Sequence, residues 1–507
     1  MQFFPWWTEE QKKFAKEVEQ FATENVPRAE ERFWTRTFPM DIADDAKKRG
    51  YFGAGIPKEY GGLGLGATGA CIACEQLNRM YSVGHLLVTS YIGGLHQILH
   101  NGTEEQKQEW LTKMAKGQLG AVCITEVFAG SDAASVMTTA EKDGDEWIIN
   151  GKKRFTTTAG PAERYLVYAK TNDDSEAKRK NQHLTTFVVE KGTSGFHLEK
   201  VNPLVGFDNL PNCYLDFDNV RVPDFNRIGP VGAGWNIMMT GLNFERLIAA
   251  AAAEGALEDL IKQVLYYTNR RVQFRSQISE FENSQFKIAD MITKQQMARL
   301  VTFYSAYIMD TGQMAAIESG IAKMLSTDYA TEIGLDAIQL LGGDGLCRFY
   351  PVERLIREGK IGQIVAGTNE VQKLVIYRMG SLTYLDWPYR LRWNERLETP
   401  TLTLGKGPWY GKEITEDVIL KILGEDYRCN PGLYMTVDDC EKETGLNKDK
   451  ILELWAKLEE KKLIVTFKDR RGNVIMAKAN YAGIRKAFPL EHYKWFPDWF
   501  DIEKLGF

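Results

Sequence analysis

The chain has 507 residues, 44% apolar and 26% charged, which is enough length for several domains and a large buried core. Its net charge of −5 is spread along the chain rather than gathered in a tail, which argues against a dominant nucleic-acid or anionic-membrane role. No apolar run approaches ~18 residues, the opening "MQFFPWWTEEQKKF" lacks the layout of a signal peptide, and seven scattered cysteines suit a reducing compartment. A cytoplasmic protein is expected, or one of the mitochondrial matrix in a eukaryote.

Residues 1–120 read as helices. "TEEQKKFAKEVEQF" starts like a capped helix, and "NGTEEQKQEWLTKMAKGQLG" has a start at Thr103 and a Gly stop at 117. Cys71 and Cys74 form a CxxC, but small and apolar neighbours at helical spacing make them core thiols one turn apart. No metal site is expected. From 121 to 230 the character changes: "EWIINGKKRFTTTAG", "RYLVYAKT", "LTTFVVEKG" and "CYLDFDNVRV" alternate and carry β-branched residues, an antiparallel β unit. From 231 to 385 long amphipathic helices return.

Another boundary falls near 386. Residues 386–412, rich in Trp, Pro and Gly, read as a linker draped over a surface. Residues 413–507 then give a helix, a helix-turn-helix and a hairpin around Arg471-Gly472-Asn473, a winged-helix pattern. "NKDKILELWAKLEEKKL" interleaves Lys with Asp and Glu, a solvated face that does not favour phosphate binding. The aromatic end, "FPLEHYKWFPDWF", is expected to dock on the protein's own core or on a partner subunit.

Four stretches are candidates for a polar cofactor: "ITEVFAGSDAAS" (124–135), "VGAGWN" (231–236), "QLLGGDGL" (339–346) and "QIVAGTNEVQ" (363–372). The three glycine-containing stretches before 363 are not dinucleotide fingerprints, because no βαβ unit surrounds them. In the fourth, Gly367 permits a sharp turn, Thr368 suits an N-cap and Glu370 suits a first helical turn, so free N–H groups would face outward.

In this order the stretches resemble the acyl-CoA dehydrogenase family of flavoenzymes, across residues 1 to about 385. "VCITEVFAGSDAAS" is similar to the family's Thr-Glu-x-x-x-Gly-Ser-Asp signature. "INGKKRFTTTAG" is similar to its Asn-Gly-x-Lys-x-Trp-Ile-Thr strand, and "RRVQFRSQISEFENSQFKIADM" to its Arg-x-x-Phe-Gly helix. The run from "AIQLLGGDG" to "AGTNEVQ" is similar to its Gln-x-x-Gly-Gly-x-Gly and Gly-Thr-x-Glu-x-Gln segments. The implied fold is α+β: an N-terminal α-helical domain, a middle antiparallel β-barrel domain and a C-terminal four-helix bundle domain, followed here by the winged-helix-like extension.

The resemblance further implies FAD, an acyl-CoA substrate oxidised at Cα–Cβ, an electron-transfer flavoprotein as acceptor, and a homotetramer built as a dimer of dimers. Carried over by position, Val122, Ile124, Thr125, Gly130 and Ser131 line the flavin and its pyrophosphate. Phe155 and Thr157 lie against the ring. Arg271, Gln273, Phe274, Gln339 and Gly343 reach the FAD of a neighbouring subunit, and Thr368 and Glu370 hold the adenosine end. Ser131, Asn243 and Arg246 match CoA-side positions. An acyl-CoA oxidase using O₂ stays open as an alternative. So does a catalytically weak flavoprotein that binds nucleic acid or a partner protein through its C-terminal domain.

Most family members place the α-proton base directly before the Gly-Thr, where this chain has Ala366. A second group carries it in a Leu-Glu-Arg-Leu context. Here "GLNFERLIAAAAAEG" puts Glu245 at that position, and Ala366 leaves room for it while keeping a backbone N–H for the thioester carbonyl. On pattern alone Glu245 is a first-turn helix carboxylate paired with a cation; its apolar setting and Ala366 favour the base. Three departures stand out: Val127-Phe128 for Pro-Gly, Phe155 for Trp, and Arg275 for Gly.

Overall fold

The computed structural model describes residues 2–80, 82–397 and 399–488. It divides into two compact units, the first through Ser381 and the second from Leu382.

The first unit begins with six helices: α1 (Glu9–Trp34), α2 (Met40–Lys48), α3 (Gly66–Leu77), α4 (Ser82–Ile92), α5 (Leu95–Asn101) and α6 (Glu104–Ala115). Thr8 and Thr103 each close a capping box with the Gln three residues on, as the Thr-Glu-Glu-Gln pattern predicts. α3 is buried along almost its whole length, and Cys71 and Cys74 are fully buried in it with thiols pushed up by burial.

The β layer follows. Its strands are β1 (Gly120–Cys123), β2 (Thr139–Asp143), β3 (Glu146–Thr157), β4 (Arg164–Lys170), β5 (Leu184–Glu190), β6 (Phe196–Val201), β7 (Asn212–Pro223) and β8 (Arg227–Ile228), with the short α7 (Ser175–Arg179) between β4 and β5. The order is β6-β7-β3-β2-β4-β5-β8, with β1 beside β4. Pairing is antiparallel as expected, apart from the β1–β4 and β2–β4 registers, which are parallel.

The bundle holds α8 (Gly234–Thr268), α9 (Glu282–Asp310), α10 (Ala316–Leu341), α11 (Val352–Ile364) and α12 (Asn369–Gly380). A two-stranded turn of β9 (Val272–Gln273) and β10 (Ser276–Gln277) follows α8. Gly255 lets α8 cross α3 closely, because a Cβ there would lie 1.8 Å from the Glu75 carbonyl oxygen.

The second unit opens with a hairpin, β11 (Tyr389–Asn394) and β12 (Thr399–Leu404), where the composition had indicated a linker. "YRLRWN" does alternate, but with its charges used inside the unit: Arg390 bonds Asp426 at 2.9 Å and Arg392 bonds Glu443 at 2.6 Å. The expected helix, helix-turn-helix and hairpin follow as α13 (Glu416–Cys429), β13 (Met435–Thr436), α14 (Val437–Thr444), α15 (Lys448–Glu460), β14 (Ile464–Lys468), β15 (Val474–Ala479) and α16 (Tyr481–Ala487). The sheet order is β13-β15-β14, around Trp455, Leu420 and Ile451. From Pro489 onward the aromatic end lies outside the described residues.

Candidate functional site

Glu245 is not in a first helical turn. α8 begins at Gly234, so Glu245 sits three turns inside it, 9% exposed, among Phe244, Leu247 and Ile248. Among the described residues it has no hydrogen bond and no ion pair. Its neighbour Arg246 turns away, donating to Asn243 Oδ1 at 3.0 Å and to the Ala366 carbonyl at 3.4 Å. Burial pushes the Glu245 carboxyl up to about 7, against the pull of Arg246 and Lys323.

Ala366 and Gly367 take φ of +57° and +81°, two successive left-handed residues. Their carbonyls are held inward. Gln372 Nε2 donates to the Gly367 carbonyl at 2.8 Å and to the Ala366 carbonyl at 3.3 Å, and Lys323 Nζ donates to the Gly367 carbonyl at 3.0 Å. The N–H groups of Ala366, Gly367 and Thr368 bond to nothing among the described residues. Thr368 caps α12 as expected, accepting from the Val371 N–H at 3.3 Å, while Glu370 is exposed in the first turn. This backbone is a concavity of donors suited to an anion or a polarised carbonyl. Asn243, Glu245, Arg246, Ala366 and Thr368 are therefore brought together. Lys323 and Gln372 complete the group without having been singled out in the sequence; a lysine inside an otherwise apolar helical stretch was the available signal.

Asn243 and Phe244 also line a cleft of about 710 Å³, with His96, Asp310 and Met314 on its other walls. Burial depresses His96 to about 3, so this ring is neutral at neutral pH.

A second group lies on the β layer. Val122, Ile124 and Thr125 are half-buried at the end of β1, and the Thr125 carbonyl accepts from the Arg154 N–H at 2.8 Å. That bond places them beside Phe155, which has φ +58° and is 47% exposed. Thr157 Oγ1 accepts from Asn212 Nδ2 at 2.9 Å. Gly130 and Ser131 sit on an exposed loop, and a Cβ on Gly130 would meet nothing within 4 Å among the described residues beyond its two chain neighbours. The loop is anchored by Glu126, which pairs with Lys153 Nζ at 2.7 Å and accepts from the Met137 and Thr138 N–H groups at 2.5 and 3.0 Å. Neither Glu126 nor Lys153 was assigned a role from the sequence, although both lie inside the quoted motifs. Val127 and Phe128 are exposed on the same loop.

Arg271, Gln273, Phe274, Gln339 and Gly343 lie elsewhere. The first three follow the end of α8, about 35 Å along the helix from Glu245 at 1.5 Å per residue. Tyr267 Oη donates to Asp344 Oδ2 at 2.6 Å, which brings the Gln339–Gly343 end of α10 to the same place. Phe274 is 91% exposed. Arg275 adopts φ +67°, the backbone that the family's glycine would take without strain.

The donors, the aromatic wall and the open glycine loop fit a flavin dinucleotide, whose ring needs a flat apolar face and whose diphosphate needs hydroxyl and N–H donors. Comparison with known proteins agrees. Three family models match: acyl-CoA dehydrogenase N-terminal domain at residues 8–118, middle domain at 121–220 and C-terminal domain at 232–380. An acyl-CoA dehydrogenase of Bacillus subtilis (strain 168) is 36% identical, over 73% of this chain and 97% of that protein. The mitochondrial isovaleryl-CoA dehydrogenase of Solanum tuberosum is 37% identical, over 73% and 90%. Butyryl-CoA dehydrogenase from Megasphaera elsdenii superposes with a TM-score of 0.71 at 32% identity, covering 76% of this chain and all of that one. The chain belongs to the acyl-CoA dehydrogenase family of FAD-dependent oxidoreductases.

Proposed function

We propose that the protein removes hydrogen across Cα–Cβ of an acyl-CoA thioester, with Glu245 as the α-proton base. The observation that carries this reading is a buried carboxyl without a donor, beside a turn whose three consecutive N–H groups are unbonded. With its proton affinity near 7, Glu245 can take an α-proton at neutral pH. The Ala366 N–H polarises the thioester carbonyl and acidifies that proton. The cleft beside Asn243 and Phe244 admits the pantetheine arm, with Ser131, Asn243 and Arg246 on the CoA side. Bound FAD supplies the hydride acceptor. Val122, Ile124, Thr125, Gly130, Ser131, Phe155 and Thr157 hold its ring and pyrophosphate.

Arg271, Gln273, Phe274, Gln339 and Gly343 serve the cofactor of a neighbouring subunit in a homotetramer. Their distance from Glu245 and the exposure of Phe274 support this assignment. Thr368 and Glu370 stand at the adenosine end. The chain is also similar, at 34% identity and a TM-score of 0.72, to one solved in work on the electron transferring flavoprotein of Acidaminococcus fermentans. That likeness supports an electron-transfer flavoprotein as acceptor. Among the described residues no helix is long and apolar enough to cross a membrane. An anaerobic panel of straight, branched, cyclic and aromatic acyl-CoA thioesters tests the reading: one class should bleach the flavin rapidly, and hydrogen peroxide yield in air should stay low. A flavin that no thioester reduces would sink it.

A further inference from the structure

Lys323 is a fully buried lysine about two turns into α10 that faces the site from behind the 366–368 turn. Its Nζ donates to the Gly367 carbonyl at 3.0 Å and to Asn369 Oδ1 at 2.8 Å. Asn369 is itself fixed, donating to Thr327 Oγ1 at 3.0 Å and Asp328 Oδ1 at 2.7 Å. A lysine this buried is costly to charge, so its retention needs a reason beyond packing. The turn supplies one. A left-handed alanine followed by a left-handed glycine persists only where its surroundings hold it, and Lys323 holds the carbonyl of the second residue. Gln372 shares that carbonyl at 2.8 Å, and Arg246 and Gln372 tie the first.

We propose that Lys323 is a positioning residue: its ammonium holds the Gly367–Thr368 peptide plane, and with it the 366–368 turn that carries the Ala366 N–H, while its charge tunes Glu245 from behind the turn. The inference rests on the proposed roles of Glu245 and Ala366. The charged groups acting on Lys323 are Glu245 and Arg246 from α8, Asp328 from α10 and Glu370 from α12. From α11, Gln363 Nε2 donates to Asp328 Oδ1. From α9, Lys287 and Lys294 pair with Asp336 and Glu332, farther along α10. Burial and Arg246 bring Lys323 down to about 7, so it is partly charged where Glu245 titrates. A cation there favours ionised Glu245.

The test uses the full-length flavoprotein and an acyl-CoA that reduces it, comparing wild type with Lys323→Met, Lys323→Gln and Lys323→Arg. Readouts are flavin occupancy, substrate affinity, and the rate of anaerobic flavin reduction against pH. Lys323→Met should keep its flavin, bind substrate within a few-fold, and lose up to about 10²-fold in saturated reduction rate, the scale of an ~1 Å misplacement. Its acidic limb should move to higher pH, because Glu245 loses a cation that lowers its proton affinity. Lys323→Gln should recover part of the rate, since it can still donate to the carbonyl, while its limb stays shifted. Lys323→Arg should hold the limb near the wild-type position.

A wild-type rate and an unmoved limb in Lys323→Met overturn the inference. If Lys323→Met fails to hold flavin, the Gln and Arg variants decide: a limb displaced in Gln and held in Arg supports the proposal, and identical profiles overturn it. A wild-type enzyme that no thioester reduces, or one that reduces normally with Glu245→Gln, removes the proposed function itself. A Glu245-dependent enzyme indifferent to Lys323 removes this inference alone.

Discussion

Two glutamates in the first unit are buried to nearly the same degree, Glu126 at 7% exposure and Glu245 at 9%, and their chemistry is opposite. Burial raises both. Glu126 nevertheless ends below the ordinary carboxylate value, because the Lys153 ammonium and two backbone N–H groups hold its charge. Glu245 has no such donors and ends near 7. Burial alone therefore does not set a carboxyl's proton affinity; the donors that reach it decide. Glu254, on the same helix, is also raised, but it accepts from Ser326 Oγ at 2.7 Å and lies near the buried Arg299–Glu75 pair.

The contrast can be broken most forcefully at Glu245. Glu245→Gln should bind FAD and acyl-CoA normally yet lose about 10² to 10⁴ in the rate of flavin reduction, read anaerobically by stopped flow. Adding the base at the turn, as Glu245→Gly with Ala366→Glu, should restore part of that rate. At Glu126 the same substitution should act on stability. Glu126→Gln leaves the Lys153 ammonium short of its countercharge in the core, a loss of about 3–5 kcal/mol by the usual cost of breaking a buried pair, visible in denaturant unfolding.

The smallest effect is in pH. The folded Glu245 binds its proton more tightly than an ordinary carboxyl, so its contribution to stability is full below about pH 4.5 and is lost as pH rises through about 7. The melting-temperature difference between Glu245→Gln and wild type should therefore grow in favour of the variant across that window. A difference constant with pH would show that Glu245 is not the donorless group described here.

Much of this was legible in the sequence because it is local. Thr368 before Asn-Glu predicts the cap seen at α12, and Gly367 permits the sharp turn it makes at φ +81°. The Lys323 contact to the turn was not legible, since it joins segments 44 residues apart in the chain; Gln372 lies five residues past Gly367, inside the quoted motif, but nothing local marks its side chain as folding back onto the turn. The depth of Glu245 in α8 was missed because "VGAGWNIMM" offers no capping side chain to mark the helix start at Gly234; Ala233 precedes it with no side-chain cap. The β11–β12 hairpin was missed because an ordinary strand turns its charges to water, whereas Arg390 and Arg392 spend theirs on Asp426 and Glu443.

The separation of Glu245 from Arg271 along α8 has a consequence for mixed assemblies. If each FAD lies between Glu245 of one chain and Arg271 of its neighbour, the two residues serve different centres. Arg271→Ala alone should lose flavin and weaken assembly, read by absorbance and sedimentation. Coexpressed with Glu245→Gln, however, it should form hybrid dimers in which one centre carries both lesions and the other carries neither. Two inactive parents would then yield an active mixture, with the intact centres confined to the hybrid species. Active hybrids cannot arise if both residues act on one chain's own cofactor, so isolating the hybrid with two different affinity tags decides the arrangement by counting active flavins per dimer.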